Sequence, residues 1–164
     1  MKLNLCCGDD VREGYINIDV RKTKHNVLVL DLEKELLKPF PSNSAEEVIA
    51  KDCIEHISWR RVEDLLRDIH RVLKCNGRVY IQVPDLEAIT KKVIFNPDFC
   101  FDILCGWKAI SYFVYGGQDY EYNYHKSGFT IGTLRRLLES IGFVVDDIMN
   151  DGGSNIITYA RKRC

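Results

Sequence analysis

Apolar positions along the chain follow two rhythms. Short runs rich in Leu, Val and Ile come first, at Leu3 to Cys7, Tyr15 to Val20, Asn26 to Asp31 and Glu47 to Lys51. Runs of this length and makeup predict strands buried on both faces of a parallel sheet. The period then changes. Trp59, Val62, Leu65, Leu66, Ile69, Val72 and Leu73 recur at spacings that put them on one face of an amphipathic helix. Ser58 stands where an N-cap would, and Asn76-Gly77 offers residues tolerant of positive φ just past the end. Arg78 to Val83 returns to a strand pattern, stopped by Pro84. Ile131, Leu134, Leu137, Leu138 and Ile141 form a second helical stripe between Thr130 and Gly142. Phe143 to Met149 and Asn155 to Arg161, joined by Asn150-Asp151-Gly152-Gly153, predict a β-hairpin.

This order predicts an α/β fold: a Rossmann-like, doubly wound, mostly parallel sheet with a C-terminal antiparallel hairpin. No repeat or low-complexity linker divides the chain, so residues 1–164 read as one domain. In such sheets ligands bind beyond the carboxyl ends of the strands. That rule points to Cys6 to Gly8, Asp19, Asp31 and Lys51-Asp52.

Composition narrows the function more than the fold. The net charge is −1 with basic residues dispersed, which argues against nucleic acid or an anionic membrane as partner. No apolar run approaches the length of a membrane span, and Met1 to Leu5 is too short and polar for a secretory signal. Seven cysteines are an odd number, without a C-x-x-C pair among them. The expectation is a reduced, cytoplasmic protein whose cysteines serve as small apolar side chains, with neither a disulfide framework nor a metal site.

The strand ends carry matching chemistry. Gly8 follows the first strand, where a missing side chain lets a ligand approach the backbone. Asp19 lies near the end of the second, placed to accept both hydroxyls of a ribose. Asp31 ends the third, where its carboxylate or the next amide can meet an adenine edge. Each alone is an ordinary turn residue; together they suit a nucleoside.

Here the chain resembles the class I S-adenosylmethionine-dependent methyltransferases, in particular the small type-11-like domains. Leu3-Asn4-Leu5-Cys6-Cys7-Gly8 is similar to their L-N-L-G-C-G opening, and Gly14-Tyr15-Ile16-Asn17-Ile18-Asp19 to G-W-x-N-x-D. Phe40-Pro41-Ser42-Asn43-Ser44 resembles P-F-x-D-x-S, Glu55-His56-Ile57 an E-H-hydrophobic step, and Arg71 to Gly77 R-V-L-K-P-G-G. The resemblance implies S-adenosylmethionine as cofactor. It places Asn4, Cys6, Cys7 and Gly8 at its methionine end, Asp19 on the ribose and Asp31-Leu32 around the adenine. Lys51, Asp52 and Cys53 would lie near the sulfonium or adenine, with Glu55 and His56 as framework residues.

The chain departs from the pattern at three points. Cys6 replaces the first glycine, Asn4 replaces the commoner acidic residue, and seven residues between Cys7 and Tyr15 leave no room for a full helix. A helix N-terminus there would help polarise the site. Its loss predicts a more open pocket, or a partner subunit supplying the missing wall.

Residues 95–129 differ in makeup. Tyr112, Tyr115, Tyr120, Tyr122 and Tyr124 gather here with Trp107, Phe113 and His125. The resemblance implies an acceptor pocket here, between the fifth strand and the final helix, and Gly116-Gly117 would serve as a hinge for a cover over it. The competing reading is a subunit interface, as in a homo-oligomer, or a lid packed on the sheet. His125 is the candidate catalytic residue, a general base near neutrality. The acceptor is expected to be a small molecule or glycan. A non-catalytic cofactor-binding or interaction module with the same fold is the alternative. A nicotinamide enzyme is disfavoured because G-x-G-x-x-G is absent.

Overall fold

The computed structural model describes residues 1–164. A seven-stranded sheet runs in the order β3-β2-β1-β4-β5-β9-β8. The strands are β1 (Lys2–Leu5), β2 (Ile16–Asp19), β3 (Leu28–Val29), β4 (Ala45–Lys51), β5 (Leu73–Pro84), β8 (Phe143–Asn150) and β9 (Asn155–Lys162). All are parallel except β9, which is reversed between β5 and β8. The chain steps outward from β1 to β3 and then returns to lay β4 against the other side of β1. The order therefore reverses between β1 and β4, and the carboxyl ends of these two strands flank the crevice in which such sheets bind ligands.

One hydrophobic core joins sheet and helices. Leu3, Leu5, Val48, Ala50, Val79 and Ile81 project from one sheet face onto α1 (Val62–Val72) and α4 (Ile131–Ile141). From α1 come Leu65, Leu66, Ile69 and Val72, all fully buried; α4 contributes Leu134 and Leu138. The other face of the central strands is largely polar, with Asn4, Glu47, Tyr80, Gln82 and Tyr159 along it. Tyr80 and Tyr159 meet there at a tilt, ring centroids 5.3 Å apart.

The α/β reading and the C-terminal hairpin match the structure closely. Thr130 caps α4, its hydroxyl accepting the Thr133 amide, and Gly142 ends that helix with a left-handed φ of 112°. Other boundaries moved. The Ser58 side chain caps no helix: its carbonyl accepts the amides of Arg61 and Val62, closing a turn that delays α1 to Val62. Trp59 then faces solvent at 66% exposure, beneath the Arg60 guanidinium, and does not join the apolar stripe. Asn76 does take a positive φ, 59°, but inside a β5 that begins directly at Leu73. β3 shrinks to two residues because only these pair with β2.

Residues 86–115 form a small satellite. Here α2 (Leu86–Phe95) and α3 (Trp107–Tyr115) flank a hairpin of β6 (Cys100–Phe101) and β7 (Leu104–Cys105), around a cluster of Ile89, Phe99, Ala109 and Phe113. Asp85 caps α2 by accepting the amides of Glu87 and Ala88. No helix is long and apolar enough to cross a membrane.

The cysteine expectation is overturned. Cys6 is bonded to Cys53, Cys75 to Cys164 and Cys100 to Cys105, leaving only Cys7, which is buried. Pairs separated by 47 and 89 residues cannot be read from spacing, since folding alone brings them together. The argument for a reducing compartment from cysteine usage loses its basis. In denaturant without reductant, thiol titration should find one reactive group per chain, rising to seven after reduction; seven from the outset would refute the pairing.

Candidate functional site

At the β1/β4 crevice lies a cleft whose walls enclose about 620 Å³, the open solvent at its mouth included. Of the ten residues expected to hold a cofactor, six line it: Cys6, Gly8, Asp19, Asp31, Leu32 and Asp52. Asp19 is 7% exposed at the end of β2. Its Oδ2 accepts the Gly8 amide at 2.8 Å and its Oδ1 the Arg21 amide at 2.9 Å. Gly8 adopts φ 49°, and the space where its Cβ would sit is open, leaving backbone bare toward the cleft. Leu30, Leu32 and Ile57 supply apolar wall.

Four expected residues lie elsewhere. Asn4 is only 2% exposed, and its Nδ2 donates to the Asp10 carbonyl at 2.7 Å and to Asn17 Oδ1 at 2.9 Å. Asn17 in turn brackets Arg12, accepting its amide at 2.8 Å and donating to its carbonyl at 3.0 Å. This network fixes the loop that has no room for a helix, so Asn4 is a framework residue. Cys7 is buried behind the loop, where burial pushes its thiol up to about 11. Lys51 points to the polar sheet face, 3.9 Å from Asp10. Cys53 is fully buried in its bond to Cys6. The Cys6 side chain is therefore tethered across the crevice and does not project freely into the cleft.

The residues that sequence reading missed come from the tyrosine-rich segment. Tyr120, Tyr122 and Lys126 wall this same cleft, although that segment was expected to build an acceptor pocket. The Arg21 guanidinium lies 3.6 Å from the Tyr120 ring centroid, and Lys126 pairs with Glu33 at 2.7 Å. A strap from Gly117 to Lys126 thus spans the opening.

Behind it lies a second, larger cavity of about 1050 Å³, open solvent at its mouth included, lined by Gln82, Lys92, Asn123, Asn155 and the aromatics Phe101, Tyr112 and Phe113 among others. His125 opens onto this cavity. Glu55 and His56, at the 3-10 turn after β4 (Ile54–His56), share its wall. The Glu55 carbonyl accepts the amides of Lys126 at 2.7 Å and Ser127 at 3.1 Å, which fastens the strap to the turn. His56 and His125 meet at 5.2 Å between ring centroids. His56 Nδ1 sits 3.1 Å from the Tyr124 carbonyl and His125 Nδ1 3.0 Å from the Phe113 carbonyl. A carbonyl only accepts, so each ring carries its proton on Nδ1 and leaves Nε2 a free lone pair. Burial lowers the pKa of both imidazoles. Glu55 is 2% exposed, its Oε2 has no partner, and burial pushes its carboxyl up to about 8. His56 and Asp52 line both cavities and form the wall between them.

Comparison with known proteins bears on the fold that carries these clefts. Residues 5–81 match the family model described as methyltransferase domain. No curated protein sequence matches the chain significantly. Among solved structures, an S-adenosylmethionine-dependent methyltransferase from Mesorhizobium loti is similar with TM-score 0.66 and 12% identity over 98% of this chain and 90% of that one. A counterpart from Archaeoglobus fulgidus gives 0.65 and 16% identity over 98% and 85%. The 1,6-didemethyltoxoflavin-N1-methyltransferase of Burkholderia thailandensis, solved with S-adenosylhomocysteine, gives 0.67 and 14% over 99% and 71%. Residues 5–81 thus resemble a methyltransferase domain, and the chain as a whole has the fold of the S-adenosylmethionine-dependent methyltransferases.

The hydrogen bonding divides the strap into two behaviours. Gly116 needs its missing side chain for close packing, since a Cβ there would run into the Asn123 carbonyl. The His125 amide is bonded to the Tyr115 carbonyl, and those of Lys126 and Ser127 to Glu55, whereas residues 119–122 donate no backbone bond. In the ligand-free protein the amides of His125, Lys126 and Ser127 should exchange slowly and those of 119–122 fast, the latter slowing with S-adenosylhomocysteine. Uniformly fast exchange across 116–127 would contradict this reading.

Proposed function

We propose that the chain transfers a methyl group from S-adenosylmethionine, held in the smaller cleft, to a polar small-molecule or glycan acceptor in the larger cavity. The observation that carries this reading is the shared wall: the two clefts meet at Asp52 and His56. The residues present fit the cofactor, with a buried carboxylate at the end of β2, a bare glycine backbone beside it and an apolar flank. The cofactor supplies an activated methyl on a sulfonium, so positioning the acceptor is the main demand on the protein. Asp19 would hold the ribose hydroxyls, Gly8 and Cys6 would border the methionine end, and Leu32 and Asp31 the adenine. Gln82, Lys92, Asn123 and Asn155 would bind acceptor hydroxyls, which is why a polar acceptor is favoured over an apolar one. His125 presents Nε2 to the same space and is the residue placed to take the acceptor's proton.

Isothermal titration tests the donor half. S-Adenosylhomocysteine should bind and NAD should not. Asp19→Ala should weaken binding by about 1.5–3 kcal/mol, the worth of hydrogen bonds to a charged group. Unchanged affinity in a folded variant would refute the assignment of Asp19.

Turnover tests the acceptor half, with S-adenosylhomocysteine release followed over a panel of hydroxyl- and amine-bearing acceptors. His125→Ala should reduce the rate by about 10²-fold or more while cofactor affinity stays nearly intact. Cofactor binding without turnover on any acceptor would favour the non-catalytic module.

A further inference from the structure

We propose that Glu55, His56 and His125 form a binding site for one divalent transition-metal ion in the wall of the larger cavity. One ligand atom from each residue lies within 4.8 Å of the other two. Two imidazoles and a carboxylate are a donor set that zinc, manganese, cobalt and ferrous iron accept, with coordination positions left open.

Three independent features prepare these atoms for an ion. Both imidazoles spend Nδ1–H on a main-chain carbonyl, at 3.1 Å for His56 and 3.0 Å for His125. That second bond is how metal-ligating histidines are oriented and their tautomer fixed. It leaves both Nε2 lone pairs without a protein partner. The carboxylate is buried at 2% exposure, yet its Oε2 has no hydrogen bond. Leaving a buried acceptor unsatisfied costs stability, and native proteins rarely do so without a ligand or water at that atom. The backbone already holds the three residues together, because the Glu55 carbonyl takes the amides of Lys126 and Ser127. Closing from the present spread to the ~3.3 Å between ligands of a tetrahedral ion needs side-chain movements of roughly 1.5 Å.

Position gives the ion a use. His56 and Asp52 line both cavities, so an ion on Nε2 of His56 would stand between donor and acceptor. Asp52 keeps one carboxylate oxygen on Gln82 at 3.0 Å and adds negative charge to the same wall. The inference rests on the proposed methyl transfer and changes how His125 serves it. The imidazole would act through the ion and not as a free base. An acceptor hydroxyl on the open position would lose its proton to solvent, and its oxygen would form the new bond to the methyl carbon. The carbon–sulfur bond would break with its electron pair staying on sulfur, releasing S-adenosylhomocysteine. This favours an oxygen acceptor.

The test uses the full chain with its disulfides intact, so that thiols do not compete for the probe. Manganese binding is read from the loss of the free-ion electron paramagnetic resonance signal, and cobalt binding from its visible absorption. S-Adenosylhomocysteine affinity is measured on the same samples. The expected result is one equivalent of ion per chain, bound at least tenfold more weakly in His125→Ala and in Glu55→Gln. Both variants should keep their circular dichroism and cofactor affinity. Should Glu55→Gln fail to fold, the part-exposed His125→Ala carries the test. Absence of manganese and cobalt binding in a protein that binds S-adenosylhomocysteine overturns the metal site and leaves the methyltransferase reading standing. Binding that persists undiminished in His125→Ala also overturns it. Metal binding lost in the variants, in a protein that does not bind S-adenosylhomocysteine, supports the metal site and removes the proposed reaction instead.

Discussion

The carbonyl oxygen of Glu55 is the point on which both cavities depend. It accepts two consecutive amides, Lys126 and Ser127, from a segment 71 and 72 positions further along the chain. The Ser127 hydroxyl adds a bond to the Ile54 carbonyl at 3.0 Å. These contacts lock the turn after β4 to the strap, and the rest follows geometrically. His125 is delivered beside His56, Lys126 is delivered to Glu33, and Tyr120 and Tyr122 come to rest over the smaller cleft. A backbone bond pair of this kind is insensitive to side-chain identity, so the residues around it are free to carry chemistry.

Fold class was legible because it rests on periodicity, and the periodic elements here are long. The α4 stripe with Thr130 before it and Gly142 after it states both helix ends in local chemistry, and the structure uses both signals. Where an end depends on partners instead, the sequence misleads. Ser58 looks like a cap, but its carbonyl is drawn into the turn that precedes α1. The satellite of α2, α3 and β6-β7 was not foreseen, since its stabilising contacts are a four-residue cluster without a clean period.

The site was legible only where a residue's role follows from its place on a strand. Asp19, Gly8, Asp31 and Asp52 sit at or just past strand carboxyl ends and reach the cleft as topology requires. Asn4 and Lys51 also belong to strands near the crevice, yet alternation turns their side chains to the polar sheet face. A motif aligned letter by letter does not distinguish the two sides of a strand. Glu55 is the complementary case. It reads as framework by resemblance, and its buried, partnerless Oε2 emerges only once the fold closes around it.

Cys6 shows how two departures from the family pattern answer one another. The residue takes φ 50°, in the region where glycine is at ease and other residues pay about 1–2 kcal/mol. A glycine would satisfy that demand but would leave the loop after β1 with one fewer anchor. This loop has no helix to pack it against the sheet, so its position depends on point contacts: Asn4 on Asp10, Asn17 on Arg12, Asp19 on Gly8. The Cys6–Cys53 bond adds a covalent contact from the loop to the end of β4, across the crevice itself. Closing a chain segment of that length is expected to contribute a few kcal/mol by restricting the unfolded state, on the order of 2–4, more than the backbone conformation costs. The missing crossover helix and the cysteine in place of glycine therefore belong to one solution, in which a short loop is pinned where a longer one would be packed.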